Sequence, residues 1–79
     1  MLIEILGTGC PKCRQLTKNA EEAVKAAAVE AQIVKVQDVK AIVSRGVMMT
    51  PALAIDGKVV AAGKILSPEE VRREIVNRS

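Results

Sequence analysis

The stretch Gly7-Thr-Gly-Cys-Pro-Lys-Cys13 holds both cysteines of the chain, two residues apart, directly after the apolar run Met1-Leu-Ile-Glu-Ile-Leu6. That run is short, rich in branched residues and ends at Gly7 and Gly9, which reads as a β-strand from Leu2 to Leu6 followed by a tight turn. A helix follows at once. Pro11 suits its first position, where the missing N–H costs nothing, and Cys10 is left at the cap. Strand, glycine turn and a helix that opens on a Cys-x-x-Cys pair together point to an α/β chain.

Outward from this stretch, Cys13, Leu16, Ala20 and Val24 fall on one helical stripe, joined by Ala23 and Ala27, so the helix is expected to run to about Ala28. No glycine marks its end. Gln32 to Val36 reads as a second strand, reached by a helical crossover and so parallel to the first. Asp38 can cap a brief helix with Val39, Ile42 and Val43 turned inward and Gly46 as its stop. Val47 to Pro51 is a loop. Ala52 to Ile55 and Lys58 to Ala62 flank Asp56-Gly57, a strong hairpin signal that makes these strands antiparallel. Ser67-Pro-Glu-Glu70 is a capping box, with Leu66 and Val71 at staple positions around it. The resulting order, βαβαββα, implies a four-stranded mixed sheet with helices on both faces, in one domain over residues 1–79.

Composition narrows the function classes. The 79 residues are 49% hydrophobic, too apolar for a disordered tail, yet they include no aromatic residue and no histidine. The core must therefore come from Ala, Val, Ile and Leu, and a small domain of this size has little margin of buried surface. The net charge of +3 arises from interleaved acids and bases without a basic block, and no aromatic is available to stack on a base. Nucleic acid is accordingly not an expected partner, while a modest preference for acidic partners is compatible with the charge. No stretch approaches the roughly 20 apolar residues of a membrane helix, and no basic-then-apolar leader opens the chain. A soluble, cytoplasmic monomer without a membrane partner is expected.

The two sulfurs should have different environments. Cys13 lies on the inward stripe, whereas Cys10 can face both solvent and the unpaired N–H groups of the first helical turn. Partial positive charge there, with Lys12 adjacent, favours a thiolate at Cys10. An exposed thiolate attacks, and a sheltered thiol one turn away resolves the mixed disulfide, which is the arrangement thiol–disulfide exchange requires.

Cys10-Pro11-Lys12-Cys13 at a helix start after the first strand, and Thr50-Pro51 before the third, resemble the thioredoxin/glutaredoxin superfamily, in particular its small prokaryotic redox-active disulfide proteins. The resemblance covers essentially the whole chain. It implies a minimal thioredoxin-like fold, Cys10 as nucleophile, Cys13 as resolving cysteine, and a redox-active Cys10–Cys13 disulfide in place of any cofactor or metal. It also implies a cis-proline at Pro51 and a Thr50 backbone that pairs with extended substrate, while Pro11 and Lys12 modulate the site. Glu4, six residues before Cys10, stands where thioredoxins carry a buried acid that relays a proton to the resolving cysteine. Disulfide-containing proteins would be the substrates and a thioredoxin-reductase-type protein the electron donor. Gly9 replaces the tryptophan that precedes the thioredoxin motif, and Ala62-Gly63 followed by Lys64 only half-matches the glutathione-gripping turn of glutaredoxins, which argues against glutathione.

Plainer readings stand beside these. Buried carboxylates are rare, so Glu4 is expected to be a strand residue tolerated near the surface. Lys12 can be a solvated side chain, and Met48 and Met49 loop and core filler, though flexible methionines can also form an adaptable contact surface. Two thiolates also suffice for Cu(I), which would make the chain a metal chaperone, and the same pair could serve a non-catalytic redox sensor.

Overall fold

The first strand is paired along both of its edges. In a computed structural model, which describes residues 1–78, β1 (Leu2–Leu6) runs parallel to β2 (Gln32–Val36) and antiparallel to β3 (Ala52–Ile55). β3 in turn pairs antiparallel with β4 (Lys58–Ala62), giving a four-stranded mixed sheet in the order β2-β1-β3-β4. The connecting helices are α1 (Pro11–Ala27), α2 (Val39–Ser44) and α3 (Pro68–Arg78). The element order is the expected βαβαββα, an α/β arrangement consistent with a minimal thioredoxin fold.

Successive strand residues point to opposite faces, and the two faces are filled differently. Ile3, Ile5, Leu53 and Ile55 point to one side, where they pack with Leu16, Ala20 and Ala23 of α1 and with Leu66, Val71 and Ile75 at α3. Leu6, Ala52 and Ala54 point to the other, where Ile42 of α2 and Val47 complete a smaller buried cluster, with half-buried Val36 and Val59 packed against it. The inward turn expected of all three α2 apolar residues is thus corrected: Ile42 is buried, but Val39 and Val43 are 60% and 58% exposed. A six-residue helix lying on a narrow strip of alanines brings one side chain to the sheet, and Val39 and Val43, four residues apart, share the outer surface.

Local signals set the boundaries. α1 ends on Ala28 in the left-handed conformation, φ 54°, its N–H bonded to Lys25 O, so an alanine occupies the position glycine usually takes. At the hairpin Asp56 and Gly57 both have positive φ, 49° and 85°, as a two-residue primed turn demands. Asp56 also exchanges bonds with β1: its N–H donates to Leu2 O, and its Oδ1 accepts from Leu2 N–H at 2.7 Å. In the capping box Glu70 N–H donates to Ser67 Oγ and Ser67 N–H to Glu70 Oε1, each at 3.1 Å. Among the described residues no helix is long and apolar enough to cross a membrane.

Candidate redox site

The two cysteines meet where β1 hands the chain to α1. Cys10 occupies the N-cap in extended conformation, φ −68° and ψ 166°, and its side chain makes no capping bond. Its sulfur is therefore free to turn to Cys13, and the two Sγ atoms lie 3.1 Å apart as free thiols. Cys10 is half-buried, whereas Cys13 is 4% exposed beneath the first turn. The environments differ as the stripe implied.

Their ionisation diverges accordingly. Cys10 is lowered below the ordinary thiol value, first by the hydrogen bond from the Cys13 side chain, then by the Cys13 main-chain N–H. Lys12 adds to this through its main-chain N–H, so the residue contributes as part of the helix start while its side chain is exposed. Cys13 is raised, chiefly by burial and then by its bond to Cys10. When the pair ionises, Cys10 is thus the sulfur that gives up its proton first, and the Cys13 thiol is the one that donates the hydrogen bond between them. The Cys13 carbonyl is in turn bonded by Thr17 Oγ1 at 2.9 Å, and Arg14 N–H reaches Cys10 O at 3.1 Å.

Gly7 is a part of this site that sequence reading treated only as a turn. A Cβ built on it would collide with Cys13 Sγ, lie 3.4 Å from Cys13 Cβ and 3.8 Å from Pro51 Cα. Gly7 is needed for room, then, and it shows that Cys13 and Pro51 converge on one point. The Thr50–Pro51 bond is cis, Pro51 is fully buried and its carbonyl accepts from Gly63 N–H at 2.8 Å, while Thr50 is exposed. Pro11 and Lys12 are exposed on the first turn. Met48 and Met49, expected in part as core filler, are 88% and 64% exposed on the loop before Thr50. Met49 leans over Gly63, where a Cβ would meet its own Cβ at 2.9 Å.

Glu4 departs from its surface expectation. It is 5% exposed, and Arg45, at the end of α2, reaches it with both nitrogens: Nη1 to Oε1 at 2.8 Å and Nη2 to Oε2 at 2.6 Å. Buried carboxylates are admitted when they are paired in this way. The pair lies on the α2 face. Ile5 and Gly7, of opposite parity, lie on the side of the sheet where Cys13 sits, so Glu4 and the resolving thiol stand on opposite sides of β1. Arg45 is 41 residues away in sequence, and no local signal announces the pairing. Among the described residues no group of three or more acidic, histidine or cysteine side chains could hold a metal ion.

Comparison with known proteins agrees with this geometry. Residues 1–76 match a model described as thioredoxin domain. A protein named thioredoxin from Methanocaldococcus jannaschii is 45% identical over 75 residues, covering 95% of this chain and 86% of that protein. Another of that name, from Methanothermobacter thermautotrophicus, is 40% identical over 73 residues, covering 92% and 95% respectively.

Proposed function

The chain belongs to the thioredoxin family, and from that premise we propose that it is a thiol–disulfide oxidoreductase that cycles Cys10 and Cys13 between dithiol and disulfide. The Cys10 thiolate attacks one sulfur of a substrate disulfide, forming a mixed disulfide and expelling the other sulfur as a thiolate that takes a proton from water. Cys13 then attacks Cys10 Sγ as its proton passes to the departing sulfur, closing the Cys10–Cys13 disulfide and releasing the second substrate sulfur as a thiol. The substrate gains two electrons and the pair loses two, which a thioredoxin-reductase-type donor restores. Disulfide-bearing proteins are the substrates, and the exposed Thr50 backbone beside the sulfur pair is where an extended substrate segment lies.

The observation that carries this reading is the 3.1 Å sulfur contact between a half-exposed and a buried cysteine whose ionisation is pushed in opposite directions. Insulin reduction followed by turbidity tests it. Cys10→Ser is expected to abolish activity and Cys13→Ser to accumulate a mixed disulfide; full activity in both variants overturns the proposal. Alkylation against pH tests the carrying observation. In the wild-type dithiol Cys10 should react with a midpoint below that of an unperturbed thiol, because its hydrogen bonds favour the anion. Cys13→Ala removes the first-ranked donor, so the midpoint should rise and labelling at neutral pH should slow.

A further inference from the structure

Beside Cys13 lies a small cavity that the exchange chemistry itself does not need. Gly7 and Gly9 leave it open, Cys13 forms part of its wall, and Arg14, Lys35 and Gln37 line it from α1 and the end of β2. Its volume, about 110 Å³, is well below the roughly 300–1,000 Å³ of a pocket that holds a whole ligand, so it suits one side group of a larger molecule. Its charge is one-sided: among the described residues, Arg14 and Lys35 make no ion pair. The nearest acid in sequence, Asp38, is not in the lining and accepts a bond from Lys40 N–H. Gln37 adds an amide, its Nε2 packed 3.4 Å from where a Gly9 Cβ would stand.

We propose that this cavity is a specificity subsite for a carboxylate carried close to the substrate's disulfide, bound between Arg14 and Lys35 with Gln37 as a further donor. Cys13 is in its wall and Cys10 Sγ is 3.1 Å beyond, so a substituent on the sulfur joined to Cys10 reaches it within a few bonds. The carboxylate can belong to a low-mass disulfide or to an acidic residue beside a cysteine of a peptide. The subsite rests on the exchange reaction proposed above.

The test is a single turnover. Reduced protein is mixed with excess 3,3′-dithiodipropionate, neutral bis(2-hydroxyethyl) disulfide or cationic cystamine, and formation of the Cys10–Cys13 disulfide is read by acid quench, alkylation and mass. A second arm uses symmetric peptide disulfides that differ only in Glu or Lys next to the cysteine. Each rate is divided by that of the same disulfide with free 2-mercaptoethanol, which removes intrinsic reactivity. The anionic substrate should exceed the cationic one by about tenfold, in the range expected when two exposed cations each act on it, and the ratio should shrink in high salt. The double variant Arg14→Gln, Lys35→Gln should bring the ratio close to one, whereas Lys58→Gln, beside the hairpin at the far end of the sheet, should leave it intact. Preference in either arm supports the subsite and identifies which source it takes. Equal normalised rates across the charges in both arms, or a preference that survives the double variant, overturn it alone; failure of the neutral disulfide to oxidise the pair overturns the exchange reaction and the subsite together.

Discussion

The two faces of the sheet solve the same problem with different means. On the α1 and α3 side, branched strand residues interlock with two helices, and ten buried side chains form one apolar cluster. On the α2 side, two alanines, Leu6, Ile42 and Val47 leave a thinner cluster, and a buried carboxylate held by an arginine fork lies beside it. The redox pair sits on the thick side, with Cys13 sheltered above Gly7. The apolar layer shelters one sulfur while the other stays at the rim; the hydrogen bonds given by Cys13 lower Cys10, and burial raises Cys13. The thin side lies across the sheet from the chemistry and can accommodate a charge.

If that division is right, the largest single loss comes from the thick face. Leu16 is fully buried between α1 and the sheet, so Leu16→Ala should cost about 2–5 kcal/mol in urea unfolding, the range for a core leucine that leaves a cavity. A loss near zero would mean that the face is loosely packed. Gly7→Ala should come next. Its methyl collides with Cys13 Sγ, and overpacking of this kind costs about 1–3 kcal/mol. Because the displaced atom is the resolving sulfur, insulin reduction should fall more than stability does, with mixed disulfide accumulating as in Cys13→Ser. Unchanged turnover would show that the sulfur has somewhere else to go.

The thin face breaks through its ion pair. Arg45→Met leaves the Glu4 carboxylate buried without its partner, and such an orphaned charge costs about 1–3 kcal/mol or more; the guanidinium is 36% exposed, so water can enter and the low end of that range is expected. The double variant Glu4→Leu, Arg45→Met should recover most of the loss, since an apolar replacement of a buried pair is often neutral or better. If the double variant were as unstable as the single one, the pair would be contributing more than mutual neutralisation.

How much of this was readable in advance follows the same division. The stripe Cys13, Leu16, Ala20 on α1, the Asp56-Gly57 turn and the Ser67–Glu70 box are local patterns, each written within a few residues, and all appear where they were expected. Cys10 and Cys13 likewise announce their contrast by helix position alone. What escaped is whatever depends on distant partners. The burial of Glu4 depends on Arg45, far along the chain, and the spatial requirement at Gly7 exists only once α1 folds back over it. The α2 helix misled because three valines and isoleucines in six residues can be drawn as an inward stripe, although the surface available to it admits one.

That last error gives the smallest and most discriminating expectation. Were Val39 and Val43 part of the core, replacing each with threonine would bury hydroxyl groups and destabilise the chain by more than about 1 kcal/mol. They are more than half exposed on the outer side of α2, where substitutions away from any cap or network usually fall within about ±0.5 kcal/mol. The double variant Val39→Thr, Val43→Thr should therefore unfold at nearly the wild-type urea concentration, while Ile42→Ala, one position away, should show a core residue's loss, at the low end of about 2 kcal/mol because its cluster is thin. Comparable losses at all three positions would place α2 deeper on the sheet, thicken the second cluster and remove the contrast between the faces. A loss confined to Ile42 would mean that a single side chain anchors this helix, and that its outer surface, beside the start of the Met48–Thr50 loop, is free to vary without cost to the fold.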